Sequence, residues 1–197
     1  METSTHADDL KTIRKIMEES SRFLSLSGLS GVFAGIFAII GFIIALLILN
    51  SDRISDAGNI DLALFIDALV ILIAALSVSV FLSYRKALRN GNRIWTGITK
   101  RMLLNLIIPL LSAAAFILIF YIEQNFRYII PSMLVFYGLA LVNVGKFTFG
   151  EIQYLGILQV LIGIISAVFT EYALYLWVLG FGILHILYGL IMHKKYR

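Results

Sequence analysis

The chain has 197 residues, of which 60% are hydrophobic and only 14% are charged, and its mean hydropathy is +0.93. Water-soluble domains are far more polar, so the composition predicts one integral membrane domain over residues 1–197. The chain contains no cysteine, which excludes a disulfide, a thiolate metal site and a cysteine nucleophile. The net charge of +4 arises from basic residues at the ends of apolar runs, a pattern that membrane topology explains without nucleic acid.

The segment over residues 8–26 is predicted to form an amphipathic helix before the first apolar run. Leu10, Ile13 and Ile16 recur at helical spacing between charged residues, and Thr5 with Asp8 forms a capping box at its start. A helix of this kind lies in the membrane interface, on the side that we assign to the cytoplasm below. The alternative is a docking helix for a cytoplasmic protein partner.

Six apolar runs follow, each close to the roughly 20 residues that a helix needs to cross about 30 Å of hydrocarbon. The runs are apolar on every face and do not alternate as the strands of a membrane barrel must. The fold class is therefore an all-α integral membrane protein. The predicted transmembrane helices are 28–49, 61–84, 102–122, 129–147, 152–169 and 172–192.

The distribution of basic residues predicts the orientation of these helices. Of the 16 lysines and arginines, all but Arg53 and Arg127 fall on one side when six helices alternate in direction. The positive-inside rule then places the N- and C-termini in the cytoplasm. The short loops between them predict three consecutive antiparallel hairpins.

Small residues in the first helix recur with a period of about 3.5 residues, which allows another helix to approach along its whole length. The alternative is a contact surface for a separate membrane subunit. The small residues are Ser27, Gly31, Ala34, Ala38, Gly41 and Ala45.

Polar residues inside the apolar runs are the candidate site residues. Folding the fifth and sixth helices into a hairpin places Gln159 level with His185, and it pairs Gly156 with Gly189 and Gly163 with Gly182. The third and fourth helices place Asn105 level with Asn143. A polar group that faces lipid is costly, so we expect these side chains to point inward and find partners.

Two interpretations of the polar group stay open at this stage. His185 is either a packing residue hydrogen-bonded to Gln159 or a proton- or ligand-binding group in a cavity, since histidine titrates near neutral pH. Asp67, about two turns into the second helix, is either a carboxylate that reaches outer water or a cation or proton site.

Motifs of metalloproteases, nucleotide-binding loops and serine hydrolases are absent from the sequence, and His185 has no second ligand at metal-binding spacing on its helix. The sequence therefore predicts no enzyme, no catalytic residue, no metal site and no cofactor.

The C-terminal third, YLGILQVLIGIISAVFTEYALYLWVLGFGILHILYGLIMHKKYR, resembles small bacterial six-span membrane proteins of uncharacterised function. It is also distantly similar to the HdeD-like acid-resistance family, whose members have three glycine-rich hairpins in tandem. The resemblance covers about forty residues and implies a bacterial inner-membrane location and a stress-related role.

The sequence thus predicts a non-enzymatic inner-membrane protein with a structural, stress-response or regulatory role. Its partners are the lipid bilayer and either a cytoplasmic protein or further copies of the chain. The alternative is a small-solute or proton-coupled transporter, or a membrane substrate-binding subunit, that uses Asp67 or the polar group of Asn105, Asn143, Gln159 and His185.

Overall fold

The computed structural model describes residues 26–51, 57–91 and 94–196, with the side chains of residues 57–59 excepted. These residues contain helices and no strand. The helices are α1 (Gly28–Leu49), α2 (Ala57–Arg89), α3 (Gly97–Ile122), α4 (Ile129–Gly145), α5 (Gly150–Val168), α6 (Ala173–Trp177) and α7 (His185–Lys195). A π-helical turn over Val178–Leu184 joins α6 to α7, and short 3-10 turns precede α4 (Phe126–Tyr128) and α6 (Thr170–Tyr172).

The prediction of six apolar helices is confirmed, because six helices in the described ranges are long and apolar enough to cross a membrane. The last of them, Thr170–Lys195, contains α6, the π-helical turn and α7, and we call it the sixth helix. α2 extends beyond the predicted 61–84 because Lys86 to Arg89 are good helix formers that prolong it past the apolar run. The predicted amphipathic helix over 8–26 lies outside the described residues, apart from Leu26.

Glycines bring α4 and α5 into backbone contact. A β-carbon on Gly138 would lie 2.6 Å from the carbonyl oxygen of Gly156, and one on Gly156 would lie 2.7 Å from the carbonyl oxygen of Gly138. Further along α5, a β-carbon on Gly163 would lie 2.8 Å from the backbone nitrogen of Val135. No side chain fits at these positions, so the glycines set how closely α4 and α5 pack.

The small-residue face of α1 is shared between two neighbours, not one as the sequence suggested. Near its start, a β-carbon on Gly35 would lie 2.5 Å from the carbonyl oxygen of Gly182. A β-carbon on Gly189 would lie 2.7 Å from the carbonyl oxygen of Gly28. Further along, Gly41 packs against the side chain of Ile71 in α2. The glycines in the first part of α1 therefore contact the sixth helix, whereas Gly41 contacts α2.

These contacts correct the expected pairing within the last hairpin. Gly156 and Gly163 contact α4, whereas Gly182 and Gly189 contact α1. The predicted pairs of Gly156 with Gly189 and of Gly163 with Gly182 are therefore wrong. Glycine spacing marks the face of a helix that packs closely, and α1 and α4 present the complementary glycine faces here.

The bundle has four central helices and two outer ones. The sixth helix packs along α1 and also contacts α4 and α5, while α2 packs mainly on α1 and α3 mainly on α4. The outer helices α2 and α3 therefore expose many large apolar side chains, as expected for helices surrounded by lipid. Examples are Val70, Ile73 and Val80 in α2, and Ile108, Leu111 and Leu118 in α3.

Candidate functional site

His185 is the best-connected polar residue inside the bundle. Its side chain is buried, with 6% of the residue exposed. One ring nitrogen, Nδ1, lies 2.9 Å from the carbonyl oxygen of Gly180, and the other, Nε2, lies 2.9 Å from the hydroxyl of Tyr137 in α4. A carbonyl can only accept, so Nδ1 carries the proton that it donates to Gly180. In the neutral ring, Nε2 then accepts from the Tyr137 hydroxyl, and both nitrogens are satisfied.

Aromatic rings hold this histidine in place. Phe181 packs against both Tyr137 and His185, with ring centroids 4.9 Å and 5.9 Å away respectively, and the rings of Tyr137 and His185 are 5.5 Å apart. Trp177 also packs against Phe181, at 5.3 Å. The imidazole is thus fixed by two hydrogen bonds and by a ring neighbour, so its orientation is determined by α4 and the sixth helix together.

The π-helical turn places Gly180 at the centre of this site. π-helical turns are rare in α-helices and occur often at functional sites. The carbonyl of Gly180 binds His185 five residues later in the chain. Its α-carbon faces Gln159 of α5 so closely that an added β-carbon would collide with Oε1 of the amide and with Leu134. Gly180 therefore contacts both of these predicted polar residues: its carbonyl binds His185, and its α-carbon lies against Gln159.

Gln159 is buried to 0% exposure, but the hydrogen bond predicted between it and His185 is not formed. Neither atom of its amide has a hydrogen-bond partner among the described residues, whereas His185 binds Tyr137 and Gly180. The hairpin estimate placed Gln159 level with His185, but Gln159 lies level with Gly180, more than one helical turn away. α5 ends at Val168 and the sixth helix begins at Thr170, so the turn centres on Phe169 and brings Gln159 level with Gly180.

The two asparagines do not join this group through hydrogen bonds. The amide nitrogen of Asn105 donates to the carbonyl of Arg101 in its own helix, at 2.9 Å. The side-chain oxygen of Asn143 accepts a long bond of 3.5 Å from Lys146. Each asparagine is half-buried and satisfied locally. Of the four polar residues grouped from the sequence, only Gln159 and His185 meet around one backbone position.

Asp67 is half-buried in α2, one turn from Ile71, the residue that packs on Gly41 of α1. No described residue donates a hydrogen bond to its carboxylate. Asp67 is therefore separate from the site around Gly180, which the fourth, fifth and sixth helices form.

A second polar cluster lies at the end of the bundle where α1 begins and α7 ends, and we call it the terminal clamp. Nζ of Lys86 donates to the carbonyl oxygens of Leu26 at 3.0 Å and Tyr196 at 3.1 Å. The ring of Tyr196 packs on Phe149, with centroids 4.1 Å apart. The clamp thus connects the end of α2 to both ends of the described chain.

The other part of the terminal clamp is an ion pair. Glu151, in the first turn of α5, binds Lys195 and accepts a hydrogen bond of 3.1 Å from the hydroxyl of Tyr196. Lys146, five residues before Glu151 in the chain, reaches Asn143 and not this carboxylate. A carboxylate at a helix N-terminus also favours the helix dipole.

Sequence reasoning missed Tyr137 and Lys86. Tyr137 carried a usable signal, because a tyrosine in the middle of an apolar run needs a partner for its hydroxyl. Lys86 looked like one of several basic residues that follow the second helix. Nothing in the sequence distinguished it from Arg85 or Arg89.

Within the described ranges, no three His, Asp or Glu side chains lie close enough to hold a metal ion. No protein family, no curated protein and no solved structure matches this chain.

Proposed function

We propose that this chain is a multi-pass protein of the bacterial inner membrane, with a non-enzymatic structural, stress-response or regulatory role. Its six helices would cross the membrane in alternating directions, as three consecutive hairpins with both termini in the cytoplasm. The charge distribution supports this topology, since the basic residues cluster at one end. The terminal clamp also supports it, because Leu26 and Tyr196 lie at the same end of the bundle. The resemblance to the HdeD-like family is the basis for the stress-related role.

One observation carries the preference for this role over transport: the polar residues around Gly180 are enclosed by packing. Gln159 is fully buried and His185 nearly so, and His185 uses both ring nitrogens inside the protein. A transport site must instead open to water on at least one side, with polar groups free to bind the solute. Backbone contacts at Gly138 and Gly156 leave no space between α4 and α5 for such a path.

The exposed basic residues at the clamped end are the surface that we propose for a cytoplasmic partner. They lie on or beside several helices and form no ion pair with another described residue, so an acidic protein or anionic lipid headgroups can bind them. They are Arg85, Arg89, Lys100, Arg101, Lys146 and Lys194. The apolar surfaces of α2 and α3 would face the bilayer.

Cysteine accessibility tests this proposal with no background, because the chain has no cysteine of its own. Gln159→Cys and Ser166→Cys place single thiols at fully buried positions of α5. We expect a membrane-impermeant thiol reagent to leave both unlabelled in proteoliposomes. Asn50→Cys and Asn90→Cys are the controls, since both side chains are exposed at opposite ends of the bundle. Each control should react from one side only, and the two sides should differ.

A flux assay on the wild-type protein completes the test. We expect proteoliposomes that contain the protein to hold a proton gradient as long as empty liposomes do. Labelling of Gln159→Cys together with proton or solute flux would overturn the proposal in favour of the transporter. Reaction of both control cysteines from the same side would overturn the topology.

A further inference from the structure

The side chain of Gln159 has four unused hydrogen-bonding positions inside the bundle. Its amide offers two donor hydrogens and an oxygen with two lone pairs, and the side chain has 0% exposure. None of these positions is used by a described residue. A buried amide without partners is costly, and more so in a bundle surrounded by lipid. Native proteins therefore satisfy nearly all such groups, with protein atoms or with ordered water.

The polar groups near Gln159 are already engaged with one another. The carbonyl of Gly180 accepts from Nδ1 of His185, and the hydroxyl of Tyr137 pairs with Nε2 of the same ring. The remaining nearby group is apolar, since the side chain of Leu134 packs against the same face of Gly180 as the amide does. Gly180, His185 and Tyr137 thus bond to one another, and none of them bonds to the amide.

The π-helical turn lies directly beside this amide. The carbonyl of Gly180 in this turn already accepts a hydrogen bond from His185. Gln159 reaches the same turn from α5, so its amide and the turn share one polar location between apolar helices.

We infer that the amide of Gln159 holds a sealed water molecule against the π-helical turn of the sixth helix. Buried waters of this kind typically make about three hydrogen bonds to polar groups that lack protein partners. The water would donate to Oε1 or accept from Nε2 of Gln159, and it would complete its bonds on the second lone pair of a neighbouring carbonyl oxygen. It would lie on a side of the amide other than the one that Gly180 contacts directly.

Nuclear magnetic resonance on the intact protein tests this inference. The chain has three glutamines, Gln124, Gln153 and Gln159, so selective ¹⁵N-glutamine labelling gives three side-chain amide signals. Gln124→Asn and Gln153→Ala assign them by elimination, since both residues are exposed. We expect the Gln159 amide to show a cross peak to water, and its hydrogens to exchange into D₂O at least tenfold more slowly than those of the other two.

Two results would overturn the inference. A Gln159 amide with no cross peak to water would show a dry site. Exchange as fast as that of Gln124 and Gln153 would show a site open to solvent. Because these signals come from the wild-type protein, the test does not depend on the folding of a Gln159 variant.

A stability comparison gives an independent readout. Gln159→Met keeps the length of the side chain but removes the amide. If the amide binds water, the variant should melt several degrees below the wild type, with Gln153→Met at the exposed position as the control. An unchanged or higher melting temperature would contradict the inference, because removal of an unpaired buried amide favours the folded state. A dry amide would leave the proposed role untouched, since that role depends on flux and labelling.

Discussion

Gly138 of α4 and Gly156 of α5 face each other so closely that neither has space for a β-carbon. A β-carbon on either residue would lie 2.6 to 2.7 Å from the other's carbonyl oxygen. We expect Gly156→Ala to lower the free energy of unfolding by about 1–3 kcal/mol, the usual cost of overpacking. In an open helix the same change raises the free energy of unfolding by about 1 kcal/mol. The sign of the change therefore distinguishes a tight backbone contact from an open helix.

Gly150→Ala is the matched control, because no atom lies within 4 Å of a β-carbon at this position. Thermal unfolding in detergent micelles measures both variants. If Gly156→Ala melts at or above the temperature of Gly150→Ala, the backbone contact between α4 and α5 is not as described.

The hydrogen bond between Tyr137 and His185 gives a second prediction. Tyr137→Phe leaves Nε2 of a buried ring without a partner, which should cost about 1–3 kcal/mol of unfolding free energy. Tyr154→Phe should change stability little, since Tyr154 is 71% exposed. Thermal unfolding measures both variants.

A double-mutant cycle isolates this bond from other effects of the tyrosine. His185→Asn keeps an amide close to the position of Nδ1, where it can donate to Gly180, but it is too short to reach Tyr137. In that background, Tyr137→Phe should cost much less than in the wild type. Equal costs in both backgrounds would show that the two side chains are not coupled.

A third prediction concerns Lys86 in the terminal clamp. Lys86→Met removes two charge-assisted hydrogen bonds, to Leu26 and Tyr196, while it keeps most of the apolar stem. We expect a loss of about 1–2 kcal/mol, at the lower part of the usual range because the side chain is only half-buried. Arg89→Met, at an exposed position of the same helix, is the control. Equal stability of the two variants would show that Lys86 does not stabilise the terminal clamp.

The ion pair of the clamp should contribute much less. Lys195 has an exposed side chain, and exposed ion pairs contribute little because water and salt screen them. We therefore expect Lys195→Met to change the melting temperature by less than Lys86→Met does, and the difference from wild type to disappear in 1 M salt. An effect of Lys195→Met that exceeds that of Lys86→Met, or that persists in high salt, would reverse this ranking.

The sequence predicted the helices well because a membrane-crossing helix must be long and apolar throughout. It also marked the faces that pack closely, since the glycines of α1, α4 and the sixth helix, and Gly156 and Gly163 of α5, lie in contacts. It did not predict which face meets which, because a glycine allows close approach to any partner. The tight turn before the sixth helix suggested that this helix would pack on α5, but Gly182 and Gly189 pack on α1.

The same reasoning explains what was predictable at the site. Gln159 and His185 stood out as polar residues in apolar runs, and both are buried. Their partners depend on the position of each helix along its neighbours, and a difference of a few residues in the centre of a turn moves the level positions by more than a helical turn. Tyr137, which completes the site, belongs to α4. The hairpins predicted from the sequence had paired this helix only with α3.

The contact between Gly28 and Gly189 joins residues from opposite ends of the described chain. During synthesis, the glycine face at the start of α1 therefore lacks its contact with Gly189 until the sixth helix has been made. Contacts of such long sequence separation form slowly. The bundle closes only when its last helix arrives, so assembly of the whole protein depends on the completion of its C-terminal segment.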